Sequence, residues 1–393
     1  MIKLVPNGST IKAIVFDWGD TLMHNFVQFP GRMVEWPQVA AITGIEQALS
    51  GLQEEYRLLV ATNAAESTST HVFQALERVN LEIYFEAIFT SNEIGSSKPD
   101  LNFFRAIEHA IDLPAHQILM IGDDFTSDIL GSYQAGWKNL WYNPEIKTCK
   151  GLMPLHNGEI YQMENLPEDL KCLDFPDWKT CQTWQLSEEF SNNLWLHTQA
   201  VAALSYQLAI WLKKAGIDIN PILSHRGGRL HDLAKITANH PSNINLNHGE
   251  LAAHVLHRRQ QPLLAEIAKR HLLFSICDEL EGPQTWEQKL VYLADKFVEV
   301  SQVVSLAERM DALSKRYDYE DKYSPTIREL MAEIFEILNI KTDELIPRLK
   351  NAMFRNRPLH RNQKQVMDLI HDLFHFLTMY SPTHLVVKII DRI

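Results

Sequence analysis

The chain has 393 residues, more than one hydrophobic core ordinarily fills, since cores stop growing near about 250–300 residues. With 46% hydrophobic and 22% charged residues, 16 Gly and 17 Pro, it is neither collagen-like, low-complexity nor wholly disordered. The formal charge of −12 belongs to the first half: residues 1–175 carry 11 Lys/Arg against 23 Asp/Glu, while 176–393 carry 26 of each. Nucleic acid or an anionic membrane is therefore repelled at long range by the first half, and a local basic groove stays open only in the second.

In chain order, the first third alternates short β-branched runs with helical stretches, the pattern of a doubly wound sheet. The runs predict strands at Ile11–Phe16, Leu58–Ala61, Ala87–Thr90, Ile118–Ile121 and Asn139–Tyr142. Helices are predicted at Val39–Gln53, Thr68–Val79, Leu101–Ala110 and Thr126–Ala135. From about Cys149 to Glu189 the pattern is irregular, with four Pro between 144 and 176. Beyond it no strand alternation survives, and helices are expected to the C-terminus. The four Cys show no CxxC pair and no disulfide framework, so a reducing, cytoplasmic setting is expected. The N-terminus lacks the apolar segment of a signal peptide. The charge-free stretch Ser191–Leu212 contains Asn192, Asn193, His197 and Gln199, which favours a buried amphipathic helix over a membrane span.

Polar residues cluster just after the predicted strands, where sites form in open α/β sheets. The run IKAIVFDWGDTL ends its strand at Asp17, LLVATN ends at Thr62 and Asn63, SSKPD carries Lys98, and ILMIGDDFTSDIL carries Asp123 and Asp128. A strand-end carboxylate can attack phosphorus when a divalent cation screens the repulsion between anions. Asp17, Asp123 and Asp128 could hold Mg²⁺, Thr62 could donate to a phosphoryl oxygen, and Lys98 could neutralise developing charge.

This order, over roughly residues 10–145, resembles the haloacid dehalogenase-like (HAD) superfamily. The resemblance implies Asp17 as nucleophile, Thr62 as phosphate ligand, Lys98 as charge stabiliser and Asp123 with Asp128 as the acidic metal motif. It also implies a metal contact from the backbone carbonyl of Gly19. Phosphatases of the family carry a second Asp at that position as general acid and base; here it is glycine, and Asp20 follows one residue late. The intervals after Asp17 and between Asn63 and Ser97 leave no room for a separate cap domain. The site is then open unless the helical half or another subunit covers it, and the loop His24–Pro37, with Phe26, Phe29 and Trp36, is either a flap or a loop pinned by its aromatics.

In the second half Leu194, His197, Val201, Leu204, Leu208 and Trp211 recur at spacings of three and four, placing His197 on a buried helical stripe. The segment PILSHRGGRLHDLAK presents His231 and Asp232, and TWEQKLVYLADKFV presents Asp295. Imidazoles with carboxylates suit Fe, Mn, Zn, Ni or Mg, and such a site can acidify bound water. H, HD and D in this order resemble the HD-domain metal phosphohydrolases over about residues 190–318. The resemblance implies His197, His231, Asp232 and Asp295 as metal ligands and Lys235 as a phosphate partner. His248 and His271 match the spacing of a second metal site in some members, so one or two metals are open alternatives. His225, His254 and His257 are expected outside the ligand set, and Arg226 and Arg229, flanking the HD pair, either bind substrate phosphate or face solvent.

The expected organisation is a Rossmann-like α/β HAD domain with a parallel sheet over 1–175, a linker over 176–189, an all-α HD domain over 190–320 and a helical extension over 321–393. The basic run Arg348, Lys350, Arg355, Arg357, Arg361 and Lys364 is read as a solvated face, or as a contact for phosphates, RNA or the acidic half. The expected function is a metal-dependent phosphohydrolase of nucleotides or other small phosphate esters, with homo-oligomerisation open and no membrane partner. The alternatives are a nucleic-acid end-processing enzyme, a nucleotide-sensing regulator and a nonhydrolytic HAD enzyme.

Overall fold

The computed structural model describes residues 10–239, 247–317, 321–341 and 343–355. Its N-terminal half runs β1 (Ala13–Phe16), α1 (Ile45–Leu52), β2 (Arg57–Thr62), α2 (Ser69–Glu77), β3 (Ala87–Thr90), α3 (Ser91–Ile94), α4 (Leu101–Ile111), β4 (Ile118–Gly122), α5 (Gly131–Ala135), β5 (Lys138–Tyr142), β6 (Gly158–Ile160) and α6 (Leu166–Asp169). The six strands form one parallel sheet in the order β3-β2-β1-β4-β5-β6. β1 reads as an unbroken apolar run because both sheet faces are covered. Ile14 and Phe16 join Leu49, Val72 and Leu76 on one face, while Ala13 and Val15 join Phe103, Phe104 and Ile107 of α4 on the other.

The five predicted strands are present, each within about two residues of its expected ends. β6 was not expected: its three residues include Glu159, a buried acid that no strand pattern suggests. The stretch predicted as a helix at Thr126–Ala135 begins with a wider turn over Phe125–Leu130 before α5.

The second half is helical: α7 (Trp178–Ser187), α8 (Asn192–Lys214), α9 (Pro221–Leu230), α10 (His248–Arg258), α11 (Pro262–Arg270), α12 (Trp286–Lys296), α13 (Leu306–Tyr317), α14 (Ser324–Leu338) and α15 (Leu345–Arg355). α7 lies within the stretch read as a linker. A two-residue hairpin, β7 (Val298–Glu299) with β8 (Gln302–Val303), interrupts the helices where no strand was expected. Helices α8 and α9 approach closely because Gly228 faces α8: a Cβ there would lie 2.6 Å from the Ala202 Cα. The charge-free stretch at 191–212 is the buried helix α8, and no helix among the described residues is long and apolar enough to cross a membrane. Arg348 pairs with Glu344, which immediately precedes its helix, while Arg357, Arg361 and Lys364 lie outside the described residues.

Candidate functional sites

β1 and β4 lie side by side at the centre of the sheet, which brings their C-terminal residues together. Asp17, Asp123 and Asp128 offer carboxylate oxygens all within 4.8 Å of one another. Lys98 Nζ stands 2.7 Å from Asp17 Oδ1 and 2.7 Å from Asp128 Oδ1, and donates to the Ala61 carbonyl at 2.8 Å. Asn63 fixes the backbone of Lys98 from both sides: its Oδ1 accepts from Lys98 N at 2.8 Å and its Nδ2 donates to Lys98 O at 2.9 Å. Thr62 is buried at the end of β2 and lines the same cavity, which has a volume of about 430 Å³.

Burial raises the Asp17 carboxyl above its ordinary range despite the opposing charge of Lys98. Burial, with Asp128 and Asp20 nearby, pushes Asp123 up to about 6, and burial pushes Asp128 up to about 7 against the pull of Lys98. Three carboxylates crowded around one ammonium form an anion excess that a divalent cation would relieve.

Among the described residues, those lining this cavity all fall between Asp17 and Asp128, and none comes from the helical half. The 24–37 loop does contribute, through Asn25, Gly31, Arg32, Met33 and Trp36. Asp20 lines it as well, with φ +56° and its Oδ1 accepting from Asn25 N at 2.8 Å.

In the helical half, the ligand candidates converge from α8, the end of α9, the start of α10, the end of α11 and α12. His197 Nε2 lies 2.9 Å from Asp295 Oδ1 and 3.9 Å from Asp232 Oδ2. His231 Nε2 lies 3.5 Å from Asp232 Oδ2 and 3.9 Å from Asp295 Oδ1. The other oxygen of Asp232, Oδ1, lies 3.3 Å from both His248 Nε2 and His271 Nε2.

The proton positions are fixed by the backbone. His231 Nδ1 donates to Gly228 O at 2.8 Å and His271 Nδ1 to Ala268 O at 2.6 Å, which leaves both Nε2 atoms with lone pairs. The lone pair of His231 faces carboxylate oxygens, and that of His271 faces Asp232 Oδ1 and, at 3.1 Å, His248 Nε2. Burial pushes His271 down to about 3, so a second ring proton does not bridge the gap. His231 Nε2 and Asp232 Oδ1 are buried without a hydrogen-bond partner. His231 Nε2 set against Asp232 Oδ2 at 3.5 Å, and His248 and His271 gathered about Asp232 Oδ1 with their Nε2 atoms 3.1 Å apart, fit a cation on either side of Asp232.

Burial acts to raise Asp232, but Lys235, with Nζ 2.6 Å from Oδ2, and His231 hold it well below the ordinary range. Asp295 is likewise held low against burial by Lys296, His197 and Arg309. Lys296 contacts Asp295 Oδ2, and Arg309 Nη2 lies 3.6 Å from Oδ1.

A haloacid dehalogenase-like hydrolase model matches residues 9–142, and an HD domain model matches residues 194–299. The chain joins a HAD-like hydrolase domain to an HD domain. The pyrimidine 5'-nucleotidase PynA of Streptococcus pneumoniae is 33% identical over 140 residues, 35% of this chain and 56% of that protein. The pyrimidine 5'-nucleotidase YjjG of Escherichia coli is 34% identical over 147 residues, 35% of this chain and 64% of that protein. A magnesium-bound structure of the HAD-hydrolase YfnB of Bacillus subtilis shares 31% identity over 33% of this chain and 54% of that one, with a TM-score of 0.29. The chain spans about half the length of the curated relatives it matches.

Two expectations around the HD pair are corrected. Arg226 and Arg229 neither face solvent nor line the HD site; both are fully buried. Arg226 donates to the carbonyls of Pro154, His156 and Pro176, and Arg229 contacts Gln185 and lies over the rings of Trp178 and Trp195. His225 is buried against Arg226 and Tyr206, whereas His254 and His257 are exposed. Sequence reasoning missed Lys296 and Arg309. The first stood next to Asp295 in the run LADK; the second has no local signal, because α13 brings it in from outside the motif.

Proposed function

We propose that this protein is a metal-dependent phosphohydrolase with two separate centres, acting on nucleotides or other small phosphate esters. The observation that carries the reading is the Asp232 carboxylate, set with one oxygen toward His197 and His231 and the other toward His248 and His271. This arrangement favours two metals in the HD centre, with Fe, Mn, Ni, Zn or Mg compatible with its donors. Asp17, Asp123 and Asp128, with the Gly19 carbonyl, would hold Mg²⁺ in the HAD centre. A bound divalent ion supplies Lewis acidity, polarising phosphoryl oxygens and acidifying water.

The chain's own groups supply the rest. In the HAD centre Asp17 attacks phosphorus as the bond from phosphorus to the leaving oxygen breaks, that oxygen takes its proton from solvent water, and water then cleaves the aspartyl phosphate to release phosphate and the Asp17 carboxylate. Thr62 donates to a phosphoryl oxygen, and Lys98 balances charge that grows on the transferring group. In the HD centre Lys235, beside Asp232, neutralises substrate phosphate. Two nucleotidases among the relatives support a nucleotide substrate.

The test combines metal analysis with a panel of nucleotides and sugar phosphates, using wild type, Asp17→Asn and Asp232→Ala. Asp232→Ala should lose metal from the HD centre and the activity that depends on it; full retention of both would end the HD assignment. Asp17→Asn should remove a separate part of the activity.

A further inference from the structure

The mouth of the HAD cavity carries a second charge pattern beyond its carboxylates. Among the described residues two cationic side chains line the cavity, Lys98 and Arg32. Lys98 is engaged by Asp17, Asp128 and the Ala61 carbonyl. Arg32 stands on the 24–37 loop, which is held in place: Arg78 Nη1 donates to the carbonyls of Met33, Val34 and Trp36, and Trp36 Nε1 donates to Gly31 O at 3.2 Å. Phe26, Phe29 and Trp36 pack ring against ring beneath it. The arginine is thus presented by a built loop.

Its neighbour is His71 on α2. The backbone N–H of Thr68 donates to His71 Nδ1 at 3.1 Å, so that nitrogen carries no proton and the neutral ring bears its proton on Nε2. Arg32 Nη1 lies 3.2 Å from that Nε2. A guanidinium nitrogen can only donate. Two donors therefore meet at hydrogen-bond distance with no acceptor between them. The carboxylate that Arg32 does meet, Glu35, stands 3.5 Å away, and the two side chains are 40% and 62% exposed, so this contact holds Arg32 weakly. An anionic oxygen placed between Arg32 and His71 would satisfy both donors.

We propose that Arg32 and His71 form an anion subsite at the mouth of the phosphoryl cavity, and that the HAD centre prefers small phosphate esters bearing a second anionic group, carboxylate or phosphate, on the leaving-group side. The proposal rests on the phosphohydrolase reading of the Asp17 centre. Arg32 and His71 bind and position; neither touches the reacting phosphorus.

The test uses the full chain with Mg²⁺ and counts turnover that Asp17→Asn abolishes. One arm compares 3-phosphoglycerate with glycerol 3-phosphate, the other fructose 1,6-bisphosphate with fructose 6-phosphate, so the arms separate a carboxylate from a second phosphate. Wild type should prefer the doubly anionic partner in at least one arm. Arg32→Ala should raise KM for that partner by about tenfold to a hundredfold, as expected for a lost charge-assisted contact, with kcat and the singly charged partner little changed. His71→Gln, which keeps a donor, should retain more of the preference than His71→Phe. An absent preference in both arms, or an equal effect of Arg32→Ala on both partners, overturns the subsite.

If wild type shows no Asp17-dependent turnover, the phosphohydrolase reading fails by itself. Calorimetric titration of the same four compounds into Mg²⁺-loaded Asp17→Asn, with and without Arg32→Ala, then decides the subsite: Arg32-dependent binding of a doubly anionic compound sustains it, and Arg32-independent or absent binding overturns it.

Discussion

Arg226→Met tests the joint between the two domains. The Arg226 guanidinium is fully buried and donates to the carbonyl oxygens of Pro154, His156 and Pro176, each at 3.0 Å. The first two acceptors precede β6 and the third precedes α7, so one side chain on α9 ties down two stretches of chain. Methionine refills most of the space but donates nothing. Each buried carbonyl left unsatisfied costs about 1–3 kcal/mol, and some of that is offset because a charge is no longer held out of water. Burial does pull the Arg226 pKa down, as that cost requires. The expected net loss is about 3–5 kcal/mol, a large share of the ~5–15 kcal/mol that holds an ordinary domain. Urea unfolding followed by tryptophan fluorescence measures it, and metal content and kcat/KM below the transition should match wild type. A loss under about 1 kcal/mol would mean that water replaces the guanidinium; lost activity in fully folded protein would mean that Arg226 serves a substrate after all.

Gly122→Ala places a Cβ against the Asp128 carboxylate, so Mg²⁺ affinity measured by calorimetry should fall at least about tenfold while the fold survives; unchanged affinity would remove Asp128 from the metal set. Asp123 at about 6 and Asp128 at about 7 are raised above their unfolded values, so in metal-free protein their contribution to stability is present below about pH 4 and is lost as pH rises through 6 and 7. Mg²⁺ takes the ionised form, and the rise in Tm on adding it should therefore grow from pH 5.5 to pH 8; a constant increment would contradict this siting. A Cβ at Gly19 would meet only Asn25 Cβ, at 3.8 Å, so Gly19→Asp should fit and, if the missing acid limits the HAD centre, should raise kcat/KM for alkyl phosphates by ~10²-fold. Aryl phosphates should gain little, and equal gains on both classes would count against the argument.

The sheet was legible because β1, β2 and β4 are apolar on both faces, a pattern local to each run. The HAD motif residues were legible because each ends a strand or follows one closely. Glu159 was not: its burial is made tolerable by His156 at 2.9 Å, Tyr161 at 2.7 Å and, from α8, Tyr206 at 2.8 Å. Arg226 was misread for the same reason, since its acceptors lie 50 to 72 positions away along the chain. The HD ligands could be named from spacing, but spacing does not say which oxygen of Asp232 faces which imidazole. That follows from how α8, α10 and α11 cross, and from the backbone carbonyls that hold the ring protons of His231 and His271.

Those same long-range contacts make the two domains dependent on one another. Trp141 Nε1 donates to the Asp123 carbonyl at 2.8 Å, and its ring packs on His156, which pairs with Glu159. Glu159 accepts from Tyr206 on α8, the helix that carries His197 nine residues earlier, or about 13 Å along its axis. Burial tends to raise Glu159, yet His156 and the two tyrosine hydroxyls hold it low, so an ionised acid sits inside the joint. Around it Ile129, Trp141 and Leu152 pack against Ala203, Tyr206, Ile210 and Ile222. Separating the domains would expose that apolar patch and leave Glu159 without Tyr206. The loop bearing Asp123 and Asp128 and the helix bearing His197 are therefore braced by one shared interface, although no described residue of the HD domain lines the cavity at Asp17.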